Sequence, residues 1–325
     1  MVINMAEMTY TTIPYVNRPV SRILYGTATD TMIAGKDCKE LLDDIFALGV
    51  NAFDCAREYK LAEKSLGDWL EVRGNRDQVT ILSKGGHPGP QWEKRINETE
   101  IRKDFACSSG YLKTDYIDIY LLHRDDPMVG VGEIVELLNA MHSEGKIGAF
   151  GGSNWTHERI AEANEYAYKH DMLPFTVSSP NFGLANQIQD PFEGGCVTIS
   201  GPSQETARKW YLDNQMPVIA YSSLGRGLFS GRVKSDDPGT IEKNMDEYAR
   251  RGYAYEENLE RLRRCEELAA TKGCTVPQIA MAWIFEQEVN TFAVVSTSKA
   301  SRMQENIDAL HIKLSEQEKR YLDLR

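Results

Sequence analysis

The chain has 325 residues, enough for one α/β barrel with long loops or for two ordinary domains. Hydrophobic residues make up 42% and charged residues 26%, a globular composition that argues against disorder. The net charge is −11, which excludes a basic nucleic-acid scaffold and at first sight disfavours an anionic ligand.

Short β-branched runs alternate with helical patterns along the chain. The first predicted strand is Ile23–Tyr25, followed by a helix over 38–48. Gly49 then fits a helix C′ position before the second strand, Val50–Phe53. A helix over 61–73 leads to the third strand, Val79–Leu82, and one over 94–111 to the fourth, Ile117–Leu122. A helix over 132–144 precedes the fifth strand, Ile147–Phe150, and one over 156–170 the sixth, Phe175–Val177. An irregular stretch at 179–202 and a helix over 203–214 precede the seventh, Pro217–Tyr221. A second irregular stretch at 223–255 and a long helical pattern over 256–286 precede the eighth, Phe292–Val295. A helix over Lys299–Leu310 follows. Ser315 and Glu318 form a capping box that opens a last helix over Ser315–Leu324.

Strands alternating with helices imply βαβ units and a parallel sheet; eight units imply a (β/α)8 TIM barrel. One barrel domain over 1–325 is expected, with long βα loops over its C-terminal face. An open doubly wound sheet would need GxGxxG after the first strand. Gly26-Thr27-Ala28-Thr29 is no such fingerprint, and Gly225 to Gly231 has the wrong spacing, after the seventh strand.

No apolar run approaches the ~18 residues of a membrane span, and the N-terminal segment has no signal-peptide pattern. Six cysteines without a CxxC spacing read as reduced thiols, so a cytoplasmic location is expected. No His, Cys and Asp spacing suggests a metal site. His87, His142, His157, His170 and His311 read as solvated or structural.

In a barrel, residues just past the strand C-termini face the active site. Asp54 and Tyr59 follow the second strand, Lys84 the third, His123 the fourth, and Ser153 and Asn154 the fifth. Singly, Asp54 also suits a helix cap, Tyr59 a packed aromatic and His123 a satisfied core histidine. Together they make a polar constellation whose members would each cost several kcal/mol if left unpaired. A free tyrosine has a pKa of about 10, and a nearby cation lowers it by roughly 1–3 units. Lys84 supplies that cation, and Asp54 holds it charged and oriented. Tyr59 then becomes able to protonate a carbonyl oxygen, which a neutral His123 fixes in place. None of these groups donates hydride, so a nicotinamide cofactor would complete the reaction.

These residues resemble the aldo-keto reductase superfamily over nearly the whole chain. Its Asp-Thr-Ala-x-x-Tyr-Gly motif appears as Asp54-Cys55-Ala56-Arg57-Glu58-Tyr59-Lys60, followed by Glu63-Lys64-Ser65-Leu66-Gly67. Its Ser-Lys is Ser83-Lys84, its Leu-x-His is Leu121-Leu122-His123, and its Gly-x-Ser-Asn is Gly151-Gly152-Ser153-Asn154. Its tail motif falls in Lys299-Ala300-Ser301-Arg302-Met303-Gln304-Glu305-Asn306.

The resemblance implies NAD(P)-dependent interconversion of carbonyls and alcohols (EC 1.1.1). Tyr59 is then the general acid/base, tuned by Lys84 and Asp54, with His123 orienting the carbonyl. Ser153, Asn154 and Ser179 would hold the nicotinamide carboxamide, with Gly26 and Thr27 nearby, and Tyr221 would stack on the ring. Ser222, Ser223, Leu224, Arg226, Gly227 and Gly231 match the stretch that wraps the pyrophosphate. Ser296, Thr297 and Ser298 would seat phosphate before a helix. Arg302 stands where the family places a cation against the 2′-phosphate or stacks one on adenine, and Glu305 and Asn306 match adenine-bonding positions. NADP is therefore favoured over NAD. A cofactor-binding regulatory subunit resembling channel β subunits is the alternative.

The chain also departs from the family pattern. Cys55 replaces Thr and Lys60 replaces Gly. Ser179 replaces the usual Gln, so a water or Asn181 would have to fill in. Ser296 replaces the usual phosphate-site Lys. Ala28, Trp92, Arg124 and Trp155 are candidate substrate contacts on loops. The two tryptophans, as apolar walls or stacking platforms, tilt the reading towards a sugar or polyol. No nucleic acid or membrane partner is expected. The net charge also conceals two basic stretches. Segment 217–234 holds Arg226, Arg232 and Lys234 and no acid, and 291–304 holds Lys299 and Arg302 and no acid. Both lie where the resemblance places cofactor phosphates, so the local field favours a dinucleotide that the total charge would repel.

Overall fold

The computed structural model describes residues 6–325. Eight parallel strands carry the fold: β1 (Ile23–Gly26), β2 (Ala52–Asp54), β3 (Thr80–Gly85), β4 (Ile117–Leu122), β5 (Ile147–Ser153), β6 (Val177–Ser179), β7 (Val218–Ala220) and β8 (Thr291–Val295). They close into a barrel in the order β8-β1-β2-β3-β4-β5-β6-β7. The protein is thus the α/β (β/α)8 barrel expected from the alternation of patterns.

The chain divides into two compact units. One, Tyr10–Ser179 with Ser296–Ala300, holds β1 to β6; the other includes Pro180–Val295 and Ser301–Arg325 and holds β7 and β8. In the first unit the strands pair in chain order. Gly26 lies opposite Asp54, Asp54 opposite Leu82, Lys84 opposite Leu121, and Ser153 opposite Ser179. This register brings the polar strand ends to one edge. In the second, Val218–Ala220 pairs with Thr291–Ala293.

Parallel strands covered by helices are buried on both faces, so they read as continuous apolar runs. Every residue of β4 is buried, as are Phe53, Ile81 and Phe150 on neighbouring strands. Each such side chain contributes roughly 1.5–3 kcal/mol. The helix Ala62–Arg73 approaches Glu98–Leu112 unusually closely. A Cβ on Gly67 would lie 2.1 Å from the Tyr111 carbonyl oxygen, so only glycine fits. That contact explains the glycine ending the Glu63–Gly67 motif.

Gly49 has φ 91° after the helix Lys39–Ala47, and the Ser315 capping box opens Glu316–Leu322. The expected helix over 256–286 is instead two, Glu256–Lys272 and Val276–Phe285. Gly273 ends the first in the left-handed region, and Thr275 and Gln278 form a capping box for the second. The stretch 223–255, read as irregular, contains the short helices Gly239–Asn244 and Glu247–Tyr253. An antiparallel pair, Tyr10–Thr11 with Val20–Ser21, precedes β1. Among the described residues, no helix is long and apolar enough to cross a membrane.

Candidate active site

The C-terminal ends of β2, β3 and β4 bring Asp54, Lys84 and His123 together, with Tyr59 reached by the turn after β2. Backbone hydrogen bonds between neighbouring strands continue past these ends and fix their positions. Cys55 N donates to Leu82 O at 2.8 Å, Arg57 N to Lys84 O at 2.9 Å, and His123 N to Gly85 O at 2.8 Å. Thr27 fastens the Asp54 carbonyl through its N (3.0 Å) and Oγ1 (2.9 Å).

Lys84 Nζ donates to Asp54 Oδ1 at 2.6 Å and to Cys55 O at 2.9 Å. Both side chains are almost wholly buried. Burial favours the neutral form of each and raises the Asp54 carboxyl, with Lys84 opposing that rise, yet the facing carboxylate holds the Lys84 ammonium above its ordinary value. The pair is therefore ionic. Lys84 Nζ sits 5.1 Å from the centre of the Tyr59 ring, and that ring meets the His123 ring edge-on at 5.8 Å.

Tyr59 departs from expectation in one respect. Its phenol is pushed up, not down: burial outweighs the opposing pull of Lys84. The cation offsets desolvation without producing a phenolate, so Tyr59 is poised as an acid.

His123 is held well below the ordinary histidine value by burial and by Lys84, Arg124 and His87. It is neutral at physiological pH. Its Nδ1 is buried without a partner. A buried orphan lone pair is better tolerated than a buried orphan N–H. The favoured tautomer accordingly carries its proton on Nε2, making that nitrogen a donor to a ligand oxygen.

Beyond β5, Ser153 Oγ donates to Ser179 O at 2.9 Å, as does Asn154 N at 3.2 Å. Asn154 adopts φ 59°, and its Nδ2 lies 3.2 Å from both His123 O and Ser153 Oγ. Ser153, Asn154 and Ser179 therefore form one bonded cluster beside His123. Gly26 O accepts from Ser296 Oγ at 2.8 Å, and Thr297 O accepts from Tyr25 OH at 2.9 Å. Ser298 and Lys299 are exposed.

In the second unit, Ser222, Gly225, Arg226, Gly227 and Gly231 all have positive φ, giving a sharply coiled loop around Leu224. Ser223 Oγ donates to Ala220 O at 3.1 Å. Tyr221 is half-buried. Arg226 is engaged within the unit: NH2 pairs with Asp246 at 3.0 Å, and the guanidinium lies over Phe192 at 5.1 Å. Asn181, considered as a stand-in for the missing Gln, is committed elsewhere. Its Nδ2 donates to Tyr221 O and Tyr253 OH, and its Oδ1 accepts from Thr198. Arg302 is exposed, Glu305 half-buried and Asn306 buried. Asn306 Nδ2 donates to Arg302 O at 2.8 Å, while its Oδ1 has no partner.

The loop candidates divide. Ala28 and Trp92 are exposed, whereas Arg124 is buried, its NH1 donating to His123 O at 2.9 Å. Trp155 is fully buried, 5.2 Å from Phe175 and tight against Gly152, so it packs as core and offers no free face. His87, read from sequence as solvated or structural, stands 4.9 Å from His123. Among the described residues, no group of three His, Cys, Asp or Glu could hold a metal ion.

A model of the Aldo/keto reductase family matches residues 22–324. The chain belongs to that family. It is 27% identical over 309 residues to aldo-keto reductase YhdN of Bacillus subtilis, covering 91% of this chain and 87% of that one. It is 26% identical to the NADH-specific methylglyoxal reductase of Escherichia coli, covering 86% and 84%. It is also 26% identical to norsolorinic acid reductase B of Dothistroma septosporum, covering 86% and 69%. Aldo-keto reductases use nicotinamide cofactors, and these relatives are oxidoreductases.

Proposed function

We propose that the protein is an NADP-dependent carbonyl reductase in which Tyr59 is the general acid/base. The observation that carries this reading is the buried Lys84–Asp54 pair beside Tyr59 and His123, all held by adjoining strand ends. A pair buried this deeply is costly to maintain, and its cation points its field at a phenol.

The residues present fit a dinucleotide. Asn306 Oδ1 is buried and unpartnered, and it suits a ligand N–H. Lys299 and Arg302 are exposed and form no ion pair among the described residues, so they suit a phosphate. Ser153 and Asn154 would hold the carboxamide, and Tyr221 would stack on the ring. Ser222, Ser223, Leu224, Gly227 and Gly231 would wrap the pyrophosphate. Ser296, Thr297, Ser298 and Glu305 would complete the adenosine side. Arg226 would shape that loop through Asp246 rather than serve as a free cation. When bound, the reduced nicotinamide supplies hydride to the carbonyl carbon.

The chain's own groups do the rest. His123 Nε2–H fixes the carbonyl oxygen. Tyr59 OH gives that oxygen its proton as negative charge develops, and Lys84 stabilises the phenolate left behind. Asp54 keeps Lys84 charged throughout. A fluorescence titration with NADPH and NADH, followed by a carbonyl panel, tests the reading. It predicts tighter binding of NADPH and measurable turnover; binding of neither would overturn it.

A further inference from the structure

Beyond Tyr59 and His123, the same unit presents a second set of polar and aromatic groups. The loop after β3 carries His87, whose ring meets His123 edge-on at 4.9 Å, and Trp92, whose ring lies 6.0 Å from His87. Trp92 is 49% exposed although its backbone takes φ 59°, a conformation that non-glycine residues adopt at a cost. The contacts thus run from Tyr59 through His123 and His87 to an open indole.

The hydrogen bonds of His87 fix its tautomer. Nδ1 lies 2.9 Å from Pro88 O, which can only accept, so Nδ1 carries the proton. Burial, partly opposed by the Pro88 bond and by Glu58, holds the imidazole below its usual value, with Arg124 and Arg95 pulling the same way as burial. His87 is neutral, and Nε2 is an acceptor with no partner among the described residues.

An acceptor lone pair cannot receive a carboxylate or phosphate. Glu58 Oε2, 3.9 Å from His87 Nδ1, adds to that rejection. Lys84 and Arg124 in turn disfavour an ammonium group. What remains is a neutral donor, and an exposed indole beside it suits the C–H face of a sugar. We propose that the substrate is a polyhydroxylated carbonyl compound, with His87 Nε2 accepting from a hydroxyl near the reacting carbonyl and Trp92 covering the more distant carbons. This rests on the carbonyl-reductase reading. Of the two tryptophans expected to favour a sugar, Trp155 is buried in the core, and His87 stands beside Trp92 instead.

The test compares kcat/KM for glyceraldehyde, propanal and a nitrobenzaldehyde, with NADPH and NADH each supplied. Wild-type enzyme should favour glyceraldehyde over propanal. His87→Phe should lower that ratio about five- to tenfold, and His87→Gln, which restores an acceptor, should recover most of it. Because both substrates are measured on one preparation, loss of folded protein cancels from the ratio. Trp92→Ala should raise KM for a pentose several-fold more than for glyceraldehyde, which is too short to reach the indole. A glyceraldehyde-to-propanal ratio that His87→Phe leaves unmoved, alongside good nitrobenzaldehyde turnover, would overturn the inference alone. No turnover of any carbonyl with either cofactor would overturn both it and the underlying reading.

Discussion

Replacing Lys84 by Met tests the most costly feature of the site. The substitution keeps the side-chain length but removes the cation 2.6 Å from Asp54 Oδ1 and the bond to Cys55 O. Asp54 is 5% exposed, so water cannot replace the lost partner. Breaking a buried pair from one side costs about 3–5 kcal/mol. For a chain this size that is a Tm lower by roughly 4–7 °C. Without Lys84, burial acts unopposed on the Asp54 carboxyl, whose folded pKa then lies further above the unfolded value of about 3.9. A group raised in this way contributes stability at low pH that is lost as pH rises through the folded value. The deficit should therefore shrink on acidification from pH 7 towards about pH 5. Asp54→Asn combined with Lys84→Met removes both charges and should regain part of the loss. Urea unfolding at both pH values reads all of these. A Lys84→Met penalty under about 1 kcal/mol, with no dependence on pH, would refute the claim that the pair is desolvated.

Other consequences are equally direct. Because Tyr59 is pushed above 10.0 and His123 well below 6.5, carbonyl-reduction kcat should be flat from about pH 6.5 to pH 9 and fall only above the tyrosine value; a pH–rate profile with a break near 6.5 would contradict the neutral His123. Arg302→Ala should weaken NADPH binding about tenfold and NADH binding much less, as read by fluorescence titration. Gly67→Ala places a methyl 2.1 Å from Tyr111 O and should cost about 1–3 kcal/mol in urea unfolding, without altering substrate preference.

The fold was legible because strands buried on both faces carry continuous apolar runs, as Ile117–Leu122 does without exception. Boundaries were less so. The sequence pattern placed the sixth strand at Phe175–Val177, and the sheet takes Val177–Ser179, since pairing with Gly151–Ser153 selects its residues. Gly273 and Thr275 broke a helix that periodicity alone read as continuous. The clustering of Asp54, Tyr59, Lys84 and His123 was legible because a polar residue closing a buried strand needs a partner. The direction of the Tyr59 shift was not, because burial is a property of the assembled site. The contact of His87 with His123 was not legible, because the two lie 36 positions apart in the chain. The burial of Trp155 was not legible from its place after the fifth strand, because it depends on the space that Gly152 leaves for its ring.

The central claim is that Tyr59 delivers the proton in a nicotinamide-dependent reduction. Tyr59→Phe removes one hydroxyl and leaves the Lys84–Asp54 pair and the residues proposed to hold the cofactor in place. Stopped-time assays of carbonyl-dependent NADPH oxidation, paired with NADPH titration of the same sample, measure chemistry and binding together. A fall in kcat of about 10²–10⁴-fold with NADPH affinity retained is the predicted result. Turnover within a fewfold of wild type would contradict it.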